Sequence, residues 1–317
     1  MPTLKLARIM YNENKLMLRD VESARDALRY IEGKSGHAKR GRGEPKNKDF
    51  YMVEERPKNP YNLPDSHQEK REPFRLPKLC NNVLIISDIH IPYHDIDAVT
   101  IALDYGVQHK VNTIYINGDL IDFAGISKFE PDLKKRSVRD EFDATKNFLK
   151  VLRATFPIAN IYWAKGNHCI RWEKFLMAKV KEIWDDPYFS LEERLGLNEE
   201  RVTLIDDKVL VKIGKLTIAH GHHIFKGFSS PVNPARGAFM KAKQTIMVGH
   251  LHRPSHSPEV TSDGDVISCW STGCLCELRP SYSPQISNSL HGFAHVTVEN
   301  NGDYTVRNHQ IINGKIH

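Results

Sequence analysis

The chain has 317 residues, of which 40% are hydrophobic, and carries a formal net charge of +6 at pH 7. This length suits one large domain with an appendage, or two modest domains, and the hydrophobic content is sufficient for one core. No apolar run reaches the roughly 18 residues of a membrane span, and residues 1–20 lack the apolar stretch of a signal peptide. We therefore expect a cytoplasmic protein without a membrane partner.

The positive surplus lies entirely in the N-terminal quarter. Residues 1–80 contain 18 Lys and Arg against 12 Asp and Glu, whereas the rest of the chain is balanced. Residues 14–32 have the apolar spacing of a helix that ends at Gly33, with no convincing second helix beside it. Residues 33–81 are basic and then proline-rich, which predicts an extended, partly disordered linker. This basic arm is either a solubilising tail or an anchor for DNA or RNA.

From residue 82 onward, apolar runs alternate with helical spacing, and the second half is richer in strands. Helices are predicted at 96–109, 138–154 and 234–243. Strands are predicted at 83–87, 113–116, 161–164, 202–206, 209–213, 216–219, 244–248, 258–261, 265–271, 293–298 and 304–312, the last two joined by the turn sequence Asn300–Asp303. This order predicts an α/β fold in which two sheets pack face to face between flanking helices. We expect three parts: a short helical segment at 1–32, a linker at 33–81 and a catalytic domain at 82–317.

The five cysteines do not suggest a disulfide framework or a zinc site. Their number is odd, and Cys269, Cys274 and Cys276 are not at a usual zinc spacing. We expect reduced thiols without a metal role, and Cys269 within a buried strand.

Five short polar segments each follow an apolar strand. They are Asp88-Ile89-His90, Gly118-Asp119-Leu120-Ile121-Asp122, Gly166-Asn167-His168, His220-Gly221 and Gly249-His250-Leu251-His252. Ligands collect at the carboxyl ends of strands in α/β sheets, so these segments can converge. Aspartate and glycine favour turns, but histidine does not, so a purely structural role is disfavoured. The carboxylate and imidazole donors suit Mn²⁺, Fe and Zn²⁺.

Two adjacent ions at such a site would explain the number of donors. If the ions are about 3.5–4 Å apart, one carboxylate must bridge them. Such a pair lowers the pKa of a water held between the ions, which gives a hydroxide near neutral pH, and neutralises phosphate oxygens during in-line displacement.

The ordered set of segments resembles the calcineurin-like metallophosphoesterase superfamily, and the resemblance covers about residues 83–312. It implies that the metal ligands are Asp88, His90 and His252 for one ion, Asn167, His220 and His250 for the other, and Asp119 as the bridge. It also implies that His168 stabilises the phosphate or protonates the leaving oxygen. Asp122 is expected to support loops. His222 and His223 are alternatives to His220, which is favoured because it directly follows the strand and precedes Gly221.

Some residues depart from parts of that superfamily. Asp122-Phe123-Ala124 stands where the Ser/Thr protein phosphatases carry Asp-Arg-Gly, and Lys165 and Cys169 flank Gly-Asn-His where those enzymes carry Arg and Glu. A protein phosphatase is therefore disfavoured. The sequence is more similar to stand-alone phosphoesterases of bacteriophages and bacteria, for which a host cytoplasm would be the location.

The predicted function is hydrolysis of phosphate esters, more specifically of phosphodiesters, by attack of a metal-bridging hydroxide, with nucleic acid as one candidate substrate. A small-nucleotide hydrolase, a phosphomonoesterase and a non-catalytic binding module are the alternatives. Mn²⁺ is the favoured ion, with Fe, Zn²⁺ and Ni²⁺ as alternatives. Arg171 and Arg253 flank motif histidines and could clamp a phosphate, so they are candidate substrate-binding residues, as is His94. The alternative for all three is an ordinary surface residue. The oligomeric state is not predicted.

Overall fold

The computed structural model describes residues 3–32, 59–68, 71–127, 137–227, 231–280 and 287–317. The chain divides into two compact units, Met1–Glu69 and Lys70–His317. Residues 33–58, most of the predicted basic linker, lie outside the described residues. None of the helices within the described ranges has the length and apolar character to cross a membrane.

The first unit contains two helices where the sequence predicted one. They are α1 (Thr3–Glu13) and α2 (Val21–Ile31). The prediction of a single helix over 14–32 is wrong because Asp20 caps α2, its carboxylate accepting the Ser23 N–H at 2.7 Å. Ala7 and Ala24 are fully buried, so small side chains lie where the two helices contact each other.

The second unit contains two mixed sheets. The strands, in chain order, are β1 (Phe74–Arg75), β2 (Asn82–Ile86), β3 (Thr113–Asn117), β4 (Asn160–Ala164), β5 (Val202–Ile205), β6 (Val211–Ile213), β7 (Leu216–Ala219), β8 (Ile246–Val248), β9 (Ser255–Val260), β10 (Val266–Ser271), β11 (His291–Val298), β12 (Tyr304–Ile312) and β13 (Lys315–Ile316). One sheet has the order β1-β6-β7-β8-β10-β9, and the other has the order β13-β12-β11-β2-β3-β4-β5. The strands β2, β3, β4 and β5 are parallel neighbours, as are β7 and β8.

Helices cover the outer faces of this pair of sheets. They are α3 (Ile96–Gln108), α4 (Val138–Thr155), α5 (Ile170–Lys179), α6 (Leu191–Leu195) and α7 (Pro234–Ala242). The predicted class, a two-sheet α/β sandwich flanked by helices, is confirmed. The helices α1, α5 and α6 and the strands β1 and β13 were not predicted from the sequence.

Alternation along the central strands divides the core into layers. In β2, Val83 and Ile85 face the second sheet, whereas Leu84 and Ile86 face the helices. A third cluster packs α7 against the outer face of β8 and β10 and includes Cys269, which is buried as predicted. All five cysteines are free thiols. Because parallel strands end at one edge, this layering places the loops after β2, β3 and β4 side by side.

The short strand β1 lies inside the segment predicted as linker. Phe74 and Arg75 pair in parallel with Val211 and Lys212 of β6. Leu76 and Cys80 are buried in the core between the sheets. The segment 74–80 therefore belongs to the sandwich, although the linker was predicted to extend to residue 81.

A carboxyl group is buried at the first turn of α4. Glu141 is 1% exposed, and its Oε1 accepts the Gly125 N–H at 3.3 Å, while Oε2 makes no hydrogen bond within the described residues. Burial raises the pKa of Glu141 to about 7, against the lowering effect of the Gly125 N–H. The native state therefore favours the protonated carboxyl.

We predict that a protein beginning at residue 71 melts within a few degrees of the full chain, whereas one beginning at residue 82 melts at least about 5 °C lower. The second truncation removes Leu76 and β1, and burial of one leucine contributes about 1.5–3 kcal/mol. Differential scanning calorimetry of the three proteins provides the comparison. Equal melting temperatures for the two truncated proteins would show that β1 contributes no stability.

Glu141→Gln should stabilise the protein at high pH. Because the native pKa exceeds the ordinary 4.5, the free energy of unfolding of the wild type falls as pH rises from about 4.5 to about 7 and then levels off. The variant lacks this loss, so its advantage over the wild type should grow by up to roughly 3 kcal/mol across that range. Urea denaturation at pH 4.5 and pH 8 measures it, with the exposed Glu182→Gln as control. A pH-independent difference would contradict the raised pKa.

Candidate metal centre

The structure brings the five polar segments together at the ends of their strands. Asp88 and His90 follow β2, Asp119 follows β3, and Asn167 and His168 follow β4. In the facing sheet, His220 follows β7, and His250 and His252 follow β8. All seven predicted ligands therefore lie in one polar cluster with His168, as strand order alone suggested.

The first group of donors surrounds His220. Its Nδ1 donates to the carbonyl of Asn117 at 2.8 Å, which leaves Nε2 as a bare lone pair in the neutral ring. Nε2 lies 3.0 Å from Asp119 Oδ2 and 3.2 Å from Asn167 Oδ1. Three acceptor atoms thus converge without a hydrogen to share, and this arrangement calls for a cation.

The second group surrounds Asp88. The Nδ1 of His90 donates to Asp122 Oδ1 at 2.8 Å, so its Nε2 is again an acceptor. That atom lies 3.3 Å from His252 Nε2, which is 3.2 Å from Asp88 Oδ1. Burial would lower the pKa of His252, but the Asp88 carboxylate raises it well above its ordinary value, so in the protein without metal a proton would be shared between His252 Nε2 and Asp88 Oδ1. Two imidazole nitrogens and a buried carboxylate oxygen fit a metal site in which a metal ion replaces that proton.

Asp119 is common to both groups. Its ligand atom lies within 4.8 Å of those of Asp88 and His90, and likewise of those of His220 and His250. Its Oδ1 accepts the backbone N–H of His168 at 2.8 Å, which fixes the carboxylate. Among the described residues, Asp119 is the one aspartate that belongs both to the donor group of Asp88 and His90 and to that of His220 and His250.

Charge in the cluster shifts the pKa of several side chains. Burial would lower the pKa of His220, but the Asp119 and Asp88 carboxylates raise it to about 9. In the protein without metal, a proton would therefore take the place of a cation at this nitrogen. Burial lowers the pKa of His250 to about 4, with His220 adding to the effect, so His250 stays neutral and able to bind metal.

Backbone strain marks the same residues. The left-handed region is occupied by five of the seven predicted ligands, with φ of +55° at Asp88, +53° at His90, +41° at Asp119, +68° at His250 and +55° at His252. Non-glycine residues adopt this conformation uncommonly, and such strain persists where the surrounding structure enforces it. The loops therefore adopt an unfavourable backbone conformation that directs these side chains into the cluster.

Two motif glycines are required by close approach. A Cβ on Gly118 would lie 2.2 Å from His220 Nδ1, and a Cβ on Gly166 would lie 2.2 Å from Asp119 Oδ1. Any larger residue at either position would displace a predicted ligand. The glycine before Asp119 and the glycine before Asn167 are therefore needed because a side chain at either position would collide with a predicted ligand.

Asp122 connects the metal cluster to His168. Its Oδ1 lies 2.8 Å from His90 Nδ1 and 2.7 Å from His168 Nδ1. Burial would raise the pKa of Asp122, but hydrogen bonds from His168 and His90 keep it below its ordinary value. Asp122 was expected to support loops, and in the structure it orients two imidazoles.

A cleft opens beside the cluster, with a volume of about 250 Å³. His168 is 19% exposed and lines it, together with His90, His250 and His252. The remaining lining includes Tyr93, Cys276, Glu277, Leu278, Pro280, Ser287 and Ser289. Sequence reasoning did not single out Tyr93 or Glu277, because nothing in their spacing links them to the five segments.

The three candidate substrate-binding residues have different environments. Arg171 donates to the carbonyl of Asp122 at 2.9 Å and to His168 Nε2 at 3.1 Å, so it lies beside the cluster. Arg253 donates to the carbonyl of Pro231 at 2.6 Å. The backbone of His94 forms an isolated antiparallel β-bridge with that of Cys276. Neither Arg253 nor His94 is among the residues that line the cleft. His222 and His223, the alternatives to His220, bind Asp207 instead.

Solved structures with similar folds were found at low sequence identity. Vacuolar protein sorting 29 from Cryptosporidium parvum is 14% identical, with 75% of this chain and 94% of that chain covered and a TM-score of 0.41. The phosphoesterase YfcE from E. coli is 13% identical, with 71% and 98% covered and a TM-score of 0.34. The nuclease MPE from Pseudomonas putida is 12% identical, with 71% and 86% covered and a TM-score of 0.30. Values this low carry no information about activity.

No curated protein matches the chain. The model of one family, calcineurin-like phosphoesterase, matches residues 82–273. This match spans more than half of the 317 residues and includes every residue of the clustered site described above. The chain therefore belongs to the calcineurin-like phosphoesterase family.

Proposed function

We propose that this protein hydrolyses phosphodiesters with two divalent metal ions held at the clustered site. The observation that carries the proposal is the convergence of buried imidazole, carboxylate and amide groups around His220 Nε2 and around Asp88 Oδ1, where a cation or a proton must lie between them. Two separate groups of this kind, sharing Asp119, favour two ions over one.

The proposed ligands divide between two positions. One ion would be held by Asp88, His90 and His252, the other by Asn167, His220 and His250, and Asp119 would bridge them. When bound, such ions would act as Lewis acids that lower the pKa of water and neutralise phosphate oxygens. Nitrogen and oxygen donors suit Mn²⁺, with Fe, Zn²⁺ and Ni²⁺ as alternatives that metal analysis of the purified protein would distinguish.

The chain itself supplies a positioned imidazole. Asp122 holds the Nδ1 side of His168, and Nε2, which accepts a hydrogen bond from Arg171, lies 4.0 Å from Asp119 Oδ2. To act on the substrate through Nε2, His168 would exchange its contact with Arg171 for one with the phosphate. From there His168 would stabilise the phosphate or protonate the leaving oxygen. Arg171 would then add positive charge next to the same ring.

Apart from the proposed ions, the side chains that line the cleft supply little positive charge, which supports a diester rather than a monoester. None of its described lining residues is Lys or Arg, and Glu277 contributes a carboxylate. A diester carries one negative charge at neutral pH, so it demands less compensation than a monoester. DNA or RNA is the proposed macromolecular substrate, anchored by the positive surplus of residues 1–80.

Two variants should distinguish a metal ligand from a residue that acts only on the substrate. We predict that Asp119→Ala loses the metal of the clustered site and activity together, because it removes the shared ligand. His168→Ala should keep its metal and lose about 10²–10⁴-fold in kcat, because only proton transfer and charge stabilisation are removed. Metal analysis and hydrolysis of bis-nitrophenyl phosphate with added Mn²⁺ measure both quantities.

Two results would contradict these assignments. Retention of two ions at the clustered site by Asp119→Ala would exclude a bridging role, and loss of metal from that site by a folded His168→Ala protein would make His168 a ligand. A wild-type protein that binds metal but hydrolyses neither bis-nitrophenyl phosphate, nitrophenyl phosphate nor labelled DNA would instead be a binding module.

The anchoring role of the N-terminal region gives a further prediction. The full chain and a protein beginning at residue 71 should hydrolyse bis-nitrophenyl phosphate equally, because every clustered residue lies beyond residue 71. The truncated protein should bind DNA more weakly, and its dependence of log affinity on log salt should flatten by about 0.9 for each phosphate that the arm no longer neutralises. Equal salt slopes would reject anchoring, and a preference for cyclic or dinucleotide substrates over DNA would favour a small-nucleotide hydrolase.

A further inference from the structure

A second donor group lies outside the clustered site. It consists of Asp207, His222 and His223, which we call the Asp207 triad. Asp207 Oδ2 lies 3.2 Å from His222 Nε2 and 2.8 Å from His223 Nε2, and the three ligand atoms are within 4.8 Å of one another. We propose that the Asp207 triad binds an additional divalent transition-metal ion, of the chemistry of Zn²⁺, separate from the ions of the clustered site.

The spacing of the donors fits one small ion. Zinc binds imidazole nitrogen and carboxylate oxygen at about 2.0–2.2 Å, so neighbouring ligand atoms of a tetrahedral site are about 3.3–3.6 Å apart. The observed separations from Asp207 Oδ2 are slightly shorter and need only a small opening. Two imidazoles and one carboxylate with a free fourth position are also the ligand set of many protein zinc sites.

Burial gives an independent reason for a cation. The side chain of Asp207 is 5% exposed. Within the described residues, its carboxylate is reached only by the two imidazoles, and no lysine or arginine forms an ion pair with it. A buried carboxylate needs a positive partner, which a divalent ion would supply.

The backbone holds the Asp207 triad in place. Two hydrogen bonds to the Gly221 carbonyl, from Ile224 at 2.9 Å and Phe225 at 3.0 Å, close the turn that carries both imidazoles. Val209 N–H closes the turn around Asp207 by donating to the carbonyl of Asp206 at 3.1 Å. The donors are therefore assembled before any ion binds, which reduces the entropy cost of binding.

The position of the Asp207 triad relates it to the clustered site. The ring centroid of His222 is 5.4 Å from that of His220 and 6.2 Å from that of His250. A cavity of about 400 Å³ is lined by His220 and by all three members of the triad. His223 is half exposed, so an ion can enter from solvent. The proposed ion would thus lie one imidazole ring away from the clustered site.

Zinc stoichiometry tests the proposal in the full-length protein. After saturation with Zn²⁺ and gel filtration, the wild type should hold one more ion per chain than either His223→Gln or Asp207→Asn. The control His256→Gln, which changes an exposed histidine on β9, should match the wild type. Circular dichroism shows whether each variant is folded. If Asp207→Asn misfolds, the zinc stoichiometry of His223→Gln, which changes a half-exposed residue, tests the proposal alone.

A second measurement separates this ion from those of the clustered site. In an Asp119→Ala background, calorimetric titration with Zn²⁺ should retain one site, and adding His223→Gln should weaken it by at least about tenfold, since even loss of an outer partner of a ligand costs roughly 10–100-fold. In wild-type protein, Zn²⁺ should also protect His223 from diethylpyrocarbonate, as read by peptide mass spectrometry. Equal stoichiometry in wild type and folded His223→Gln, or unprotected His223 at saturating Zn²⁺, would overturn the proposal whatever the fate of the clustered site.

Discussion

The constraint on which this structure depends is a set of buried lone pairs that face one another. His220 and His90 each give their Nδ1 proton to a fixed acceptor, the Asn117 carbonyl and the Asp122 carboxylate. Their Nε2 atoms are then directed at other acceptors in a region almost closed to solvent. Such an arrangement is unfavourable unless a cation or a proton occupies it, so by itself it does not stabilise the fold.

The surrounding architecture serves that constraint at several levels. Parallel strands deliver the loops to one edge, left-handed residues turn the side chains inward, and glycines remove the atoms that would collide. Behind the loops, Asp122 links a proposed ligand, His90, to the substrate-facing His168. Any change in the charge of one imidazole is therefore felt by the other through a shared carboxylate.

The sequence was informative wherever periodicity or a motif was long enough to be recognised. The strands and helices from residue 82 to 312 that carry the site were predicted within a few residues, and the convergence of Asp88, Asp119 and His220 followed from their positions after strands. Two-residue strands have no period, so β1 and β13 could not be found. The helix α5 begins directly after the Gly166-Asn167-His168 segment and was not predicted, because Cys169 at its N-cap makes no side-chain capping hydrogen bond and so gives no start signal.

Roles that depend on three-dimensional proximity were missed for a different reason. Asp122 orients His90 and His168, which are 32 and 46 positions away in the sequence. Asp207 meets two histidines fifteen and sixteen positions further on, in a loop whose direction no local pattern specifies. Motif spacing identifies residues that follow strands, but it does not show which side chains will share a proton or an ion.

The two shortest strands have a consequence for how the protein behaves in concentrated solution. One edge of the six-stranded sheet ends in β1, and one edge of the seven-stranded sheet ends in β13, each with only two residues. A long free edge presents a row of unpaired N–H and C=O groups, to which another polypeptide can add as an extra strand. The strand β1 pairs with Val211 and Lys212 of the three-residue β6 and offers too few such groups for a stable new pairing. The strand β13 pairs only with Ile311 and Ile312, so no strand of the described residues covers the edge of β12 along residues 304–309. The fold therefore limits self-association through its backbone at the β1 edge, whereas the β12 edge can accept a further strand.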